Sequence, residues 1–214
     1  MNASIVSVNV GLPKDIETPR GTVRTSIFKS PTDARVRAVP HNLDGDRQAD
    51  LESHGGEHKA IYGYALEHYA TWQTELDRSD FVHGQFGENL TTDGLRETDL
   101  GIGDLLAIGT AVLQVTQPRS PCYKLGIRMD DPHFIKRFMK SGRSGFYFRV
   151  AESGELGRGD SVSRIARGPS GLSVWDVWNL SYGEDHDRER LALALELGTL
   201  GEEWLRPMRS RLGR

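Results

Sequence analysis

Through residues 1–167, apolar positions come in short alternating or continuous runs separated by turn-forming clusters. That is the pattern of strands rather than of long helices. Residues 4–10 make the first run. Runs at 22–28 and 34–39 flank Ser30-Pro31-Thr32-Asp33, a turn composition, and a run at 60–64 follows Gly55-Gly56. Residues 105–108 and 111–116 flank Gly109-Thr110, which predicts a hairpin. Runs at 146–150 and 161–165 complete the set. Strands at this spacing predict a mainly β fold, a barrel or a sandwich. Two helices interrupt them. Over 66–76, Leu66, Tyr69, Trp72 and Leu76 fall near one face. Farther on, Asp131 and Pro132 predict a helix start, Phe134, Ile135, Phe138 and Met139 its apolar stripe, and Gly142 its end.

After the linker-like Arg167-Gly168-Pro169-Ser170-Gly171 the period changes, so residues 1–167 and 168–214 read as two units. Ser173 and Asp176 fit a capping box. Residues 187–197 place Leu191, Ala194 and Leu195 on one side before Gly198. Trp204, Leu205, Met208 and Leu212 mark a last helix, in which Pro207 predicts a kink or a new start. Three short helices bury little surface alone, so they should pack on the β unit or on a second subunit, as in a homodimer. Arg206, Arg209, Arg211 and Arg214 read as a solvated helix face.

The net charge of −3 offers no general attraction for nucleic acid or anionic membrane, and no aromatic-basic platform for single strands accompanies the arginines. Nothing approaches the ~18 consecutive apolar residues of a membrane span. The first residues lack the basic segment and apolar run of a signal peptide. Cys122 is the one cysteine of 214 residues, which rules out an internal disulfide and suits a reducing compartment. These features together predict a cytoplasmic protein.

Cys122 is also the most informative candidate for chemistry. It follows Pro118 and Pro121 and is flanked by Arg119 and Lys124. Nearby cations favour thiolate, the form that ligates metals and attacks electrophiles. Three further polar segments mix glycines with charges between predicted strands. They are Phe28-Lys29-Ser30-Pro31, the stretch from Leu43 through Asp50 to Lys59, and Phe86-Gly87-Glu88-Asn89-Leu90-Thr91-Thr92. His54 and His58 have the spacing of a helical metal pair, but Gly55-Gly56 between them argues against a helix and no third zinc-type ligand is evident. No G-x-S-x-G elbow is present, and Gly101-Ile102-Gly103 lacks the rest of a dinucleotide fingerprint. A Cys–His hydrolase pairing Cys122 with His54 or His133 stays open.

Taken in order, Thr25-Ser26-Ile27-Phe28-Lys29-Ser30-Pro31, Gly45-Asp46-Arg47-Gln48-Ala49-Asp50, His54-Gly55-Gly56, Lys59-Ala60-Ile61-Tyr62, Phe86-Gly87-Glu88-Asn89-Leu90 and Gln117-Pro118-Arg119-Ser120-Pro121-Cys122 resemble the MOSC domain family, most of all its YiiM-like branch. The resemblance implies a MOSC-type β-barrel with interspersed helices, followed by a small C-terminal helical subdomain. It also implies binding of a molybdenum cofactor of molybdopterin type, with Cys122 as the metal's thiolate ligand. Soft thiolate suits such a metal, and an anionic pterin needs cations and backbone N–H groups. Lys29, Gly55, Gly56, Lys59, Asn89, Arg119, Ser120 and Lys124 are the candidates for seating it, with Arg143 a weaker one. Glu88 or His54 would deliver a proton. The implied activity is reduction of N-hydroxylated compounds such as hydroxylamino-purines. Since no flavin, haem or iron–sulfur motif is present, electrons would come from a separate reductase, a flavin-dependent one for example. A carrier that holds cofactor or sulfur on Cys122 without turnover is the remaining alternative.

Overall fold

A computed structural model of the chain describes residues 2–50 and 55–213, so His54 and Arg214 lie outside the described residues. Thirteen strands and six α-helices follow one another among the described residues. The strands are β1 (Ser4–Val10), β2 (Lys14–Thr18), β3 (Gly21–Thr25), β4 (Ser30–Thr32), β5 (Val36–Val39), β6 (Asn42–Leu43), β7 (Ile61–Ala65) and β8 (Leu90–Asp93). They continue with β9 (Leu105–Ile108), β10 (Ala111–Pro118), β11 (Phe146–Glu152), β12 (Gly154–Leu156) and β13 (Val162–Ala166). The helices are α1 (Leu66–Leu76), α2 (Tyr123–Met129), α3 (Phe134–Ser141), α4 (Val174–Tyr182), α5 (Arg188–Leu195) and α6 (Glu202–Leu212).

The main sheet has eight strands in the order β13-β9-β10-β11-β7-β8-β1-β4. The fold is mainly β, with helices set among the strands and at the C-terminus. Closure into a barrel is only partial. β1 is paired along its length with β8 and β4, and a single bridge, Ser4 to Ser161, brings its start to the start of β13. β7 and β8 pair in parallel, which requires a crossover, and α1 supplies it. β7 is buried on both faces, so its side chains alternate between two cores. Ile61 joins an aliphatic core, whereas Tyr62 and Tyr64 point into an aromatic one with Trp72, Phe86, Phe134 and Phe138.

The C-terminal helices pack on the sheet. Val177, Trp178, Leu191, Trp204 and Met208 share one core with Leu106, Leu113 and Phe148. The expected capping box of α4 is present, with Ser173 and Asp176 exchanging hydrogen bonds of 2.8 and 3.1 Å. Pro207 does not break α6. Its ring removes the N–H that would have bonded the Glu203 carbonyl one turn back, and the Tyr182 hydroxyl donates to that carbonyl instead at 2.7 Å. Nor does Arg211 belong to a solvated face. Its guanidinium donates to the Leu180, Gly183 and Asp185 carbonyls and so closes the end of α4. No helix among the described residues is long and apolar enough to cross a membrane.

Candidate functional site

The polar segments singled out in the sequence meet at one end of the sheet. A cleft there is lined by Lys29, Asp46, Lys59, Asn89, Arg119 and Cys122, so all four segments contribute. Each arrives from the end of an element. Lys29 precedes β4 and Asn89 precedes β8, while Arg119 follows β10 and Cys122 is the N-cap of α2. Lys59 ends a short 3₁₀ turn that begins at Gly56, whose φ of +97° favours glycine. A second, outer depression adjoins the cleft and shares Asp50, Lys59, Cys122, Lys124 and Tyr147 with it. Ser120 lines this outer part. Cys122 is half-buried on the border between the two.

One wall of the cleft is internally paired. The Asp46 carboxylate forms an ion pair with the Lys29 ammonium and accepts from the Gly11 backbone N–H at 2.8 Å and from the Asn89 side chain at 2.9 Å. The Asn89 carbonyl oxygen in turn accepts from the Tyr62 backbone N–H at 3.1 Å. Lys29 and Asp46 are both nearly inaccessible. Burial holds the Lys29 ammonium below the usual lysine value, against the opposing pull of Asp46 and Glu88.

The other wall is different. Arg119 is buried with its guanidinium over the Tyr62 and Phe138 rings, 4.9 and 5.5 Å from their centroids. Its Nη1 has no hydrogen-bond partner among the described residues, and neither has the buried Ser26 hydroxyl in the same cleft. Buried donors of this kind normally have partners. Tyr62 and Tyr147 nearby have their phenols pushed up by burial, which keeps them neutral donors. A buried guanidinium and a hydroxyl beside a half-exposed thiol fit an anionic group with a thiophilic centre.

Three sequence expectations need correction. Glu88 does not line the cleft. Its carboxylate is fully buried and accepts from the Tyr69 hydroxyl, the Gly84 and Phe86 backbone N–H groups and the Thr91 hydroxyl. It organises the loop that carries Asn89 and is closed off from any substrate. Gly55 and Gly56 line neither depression; Gly56 shapes the turn that presents Lys59. Arg143 is engaged elsewhere, its Nη2 donating to both Glu75 carboxylate oxygens at 2.9 and 2.8 Å and its guanidinium 3.8 Å from the Trp72 ring centroid. His133 caps α3 at the surface and lies outside the cleft lining, while the His54 assignment falls on residues that are not described. Sequence reasoning missed Asp46 as the partner of Lys29, and Tyr62 and Tyr147 as walls. The alternation of β7, which points Tyr62 and Tyr64 to one face, was the available signal for the first of these walls.

A mainly β module with a cysteine-bearing cleft and a helical tail packed on its sheet is the class these features define. Two family models match successive stretches of the chain. The MOSC domain matches residues 50–163, and the YiiM-like, 3-alpha helix domain matches residues 172–213. The chain belongs to the MOSC domain family. Protein YiiM of Escherichia coli (strain K12) is 32% identical over 189 residues, covering 87% of this chain and 84% of that protein. The crystal structure of YiiM from Geobacillus stearothermophilus superposes with a TM-score of 0.79 at 34% identity, over 98% of this chain and 99% of that one. A protein named "Reductase" from Gibberella moniliformis (strain M3125 / FGSC 7600) is 33% identical over 163 residues, 75% of this chain and 28% of that longer protein.

Proposed function

We propose that this protein is a molybdenum-cofactor-binding oxidoreductase that reduces N-hydroxylated compounds, hydroxylamino-purines and related base analogues among them. The observation that carries the reading is the presence in one cleft of the half-buried Cys122 and the buried Arg119, whose Nη1 has no hydrogen-bond partner among the described residues. Membership of the MOSC domain family and the likeness to a protein named as a reductase support it.

Cys122 is the thiolate ligand in this reading. Arg119, with Lys124 at the rim, holds the anionic part of the cofactor, and the Ser26 hydroxyl adds a hydrogen bond. Asp46 keeps Lys29 and Asn89 in place behind them. When bound, the cofactor supplies the two-electron chemistry that cleaves an N–O bond. The reaction takes an N-hydroxylamine, two electrons and two protons to an amine and water. The electrons come from a separate reductase of flavin-dependent type. With Glu88 closed off, His54 is assigned the proton for the departing oxygen.

The test is elemental analysis for molybdenum on protein made in a cofactor-producing host, wild type beside Cys122→Ala. Wild type should retain molybdenum and reduce a hydroxylamino-purine when given a reductase. The variant should lose both while keeping its melting temperature. Full activity in the variant would refute the assignment.

A further inference from the structure

The outer depression is built partly by the helical tail. Glu203, in the first turn of α6, forms an ion pair with Lys59 at 2.8 Å and lines the depression beside Cys122. Several contacts fix it there. The Gly201 backbone N–H donates to the Gln117 side chain at 2.8 Å, and the Thr199 hydroxyl donates to the Thr116 carbonyl at 2.8 Å, both on β10, the strand that leads to Cys122. A Cβ at Gly201 would collide with the Glu203 carboxylate, so the carboxylate lies folded over that glycine. Lys59 is therefore engaged before any ligand arrives. Asp50 and Glu203 balance Lys59 and Lys124, and Tyr123 and Tyr147 supply aromatic faces. Tyr123 is 61% exposed at the rim, an open stacking surface.

We propose that Glu203 is a specificity-determining residue through which the helical tail selects the substrate. It occupies Lys59 and presents a hydrogen-bond acceptor to ring N–H groups. The depression accordingly takes a neutral, planar nitrogenous base in preference to its phosphorylated nucleotide, whose phosphate would find Lys59 already held by Glu203 and Lys124 engaged by the cofactor, with the Glu203 and Asp50 carboxylates beside it. This inference rests on the proposed reduction of N-hydroxylated bases in the same cleft.

Equilibrium binding and steady-state reduction by the holoenzyme test it, with a hydroxylamino-purine and its nucleoside monophosphate as probes. Wild type should favour the base. Glu203→Gln releases Lys59 and removes the repulsion, so the preference should fall by about tenfold, read in both binding and KM rather than in kcat. Gly201→Ala, which displaces the carboxylate but keeps its charge, should lower the preference in the same direction, while Glu203→Asp should retain part of it. Should Glu203→Gln fail to fold, Gly201→Ala and Glu203→Asp decide the question. A base-to-nucleotide ratio within about twofold of wild type in folded Glu203→Gln and Gly201→Ala overturns the inference, even with reduction intact. A wild type that binds the base selectively through Glu203 yet reduces nothing overturns the reductase reading instead.

Discussion

The two walls of the cleft carry similar charges and opposite chemistry. On one, Lys29 is locked to Asp46, and Asp46 is locked to Asn89 and the Gly11 N–H. On the other, Arg119 is as deeply buried, yet one guanidinium nitrogen has no partner among the described residues. A paired buried cation is part of the scaffold, because removing its partner leaves a charge stranded in low dielectric. A buried guanidinium nitrogen without a partner is costly to keep unless a ligand completes it. The sequence presents Lys29 and Arg119 as equivalent anion binders. The structure ties Lys29 to Asp46 as a brace and leaves one Arg119 nitrogen without such a partner among the described residues, and the proposed function makes Arg119 the receptor.

The largest expected effect is on the brace. Asp46→Ala should cost about 3–5 kcal/mol of folding stability, since it strands the Lys29 ammonium and the Asn89 amide together. Urea denaturation reads this directly, and a loss below about 1 kcal/mol would mean that Lys29 is a mobile cation after all. Glu88→Gln comes next, at about 2–3 kcal/mol, because four donors converge on that carboxylate. Its kcat should stay close to wild type at a temperature where the variant is folded. A large drop in kcat without destabilisation would restore Glu88 as a proton donor.

Arg119→Met should show the reverse profile. The side chain loses its contact with the Tyr62 and Phe138 faces, worth about 1 kcal/mol, while the methionine stem still fills the space. Binding of anionic ligands should weaken by roughly ten- to a hundredfold, the share of a charge-assisted hydrogen bond. Pyrophosphate titration followed by calorimetry reads this loss without turnover. Equal losses of stability in Asp46→Ala and Arg119→Met would erase the distinction between the walls.

Local signals carried most of the fold. The 4–10 run, the 66–76 helix, the Gly109-Thr110 turn and the Ser173–Asp176 capping box all rest on neighbours within a few residues, and each appears where expected. Features without an apolar run or a cap to mark them, and features that depend on distant partners, were not legible. β2 is half of an exposed hairpin without an apolar run to mark it. α2 carries no capping signal, since Cys122 stands at its N-cap without a side-chain cap hydrogen bond. Pro207 stays inside α6 because of Tyr182, which lies in another helix. In the site, the four polar segments were recognisable as a set, but the division of labour among them was not. Glu88 becomes structural only when Tyr69 and Thr91 fold onto it, and Lys29 only when Asp46 does.

The smallest effect sharpens the contrast through pH. Burial depresses the folded-state value of Lys29 relative to the unfolded chain. Between that depressed value and the unfolded value of about 10.4, the unfolded state binds more protons, so stability rises with pH across the window. Below the window both states hold the proton and the burial penalty is fully present; above it both have lost the proton and the penalty is gone. The difference in unfolding free energy between wild type and Lys29→Met should therefore drift in favour of wild type as pH climbs toward that upper limit. Arg119 stays charged over the whole range, so Arg119→Met should show no such drift. A drift of the opposite sign would mean that the Asp46 pair outweighs desolvation, holding the Lys29 proton more firmly in the fold than in water. Lys29 would then be a permanent cation at the floor of the cleft, and the charge available to an anionic ligand would come from both walls.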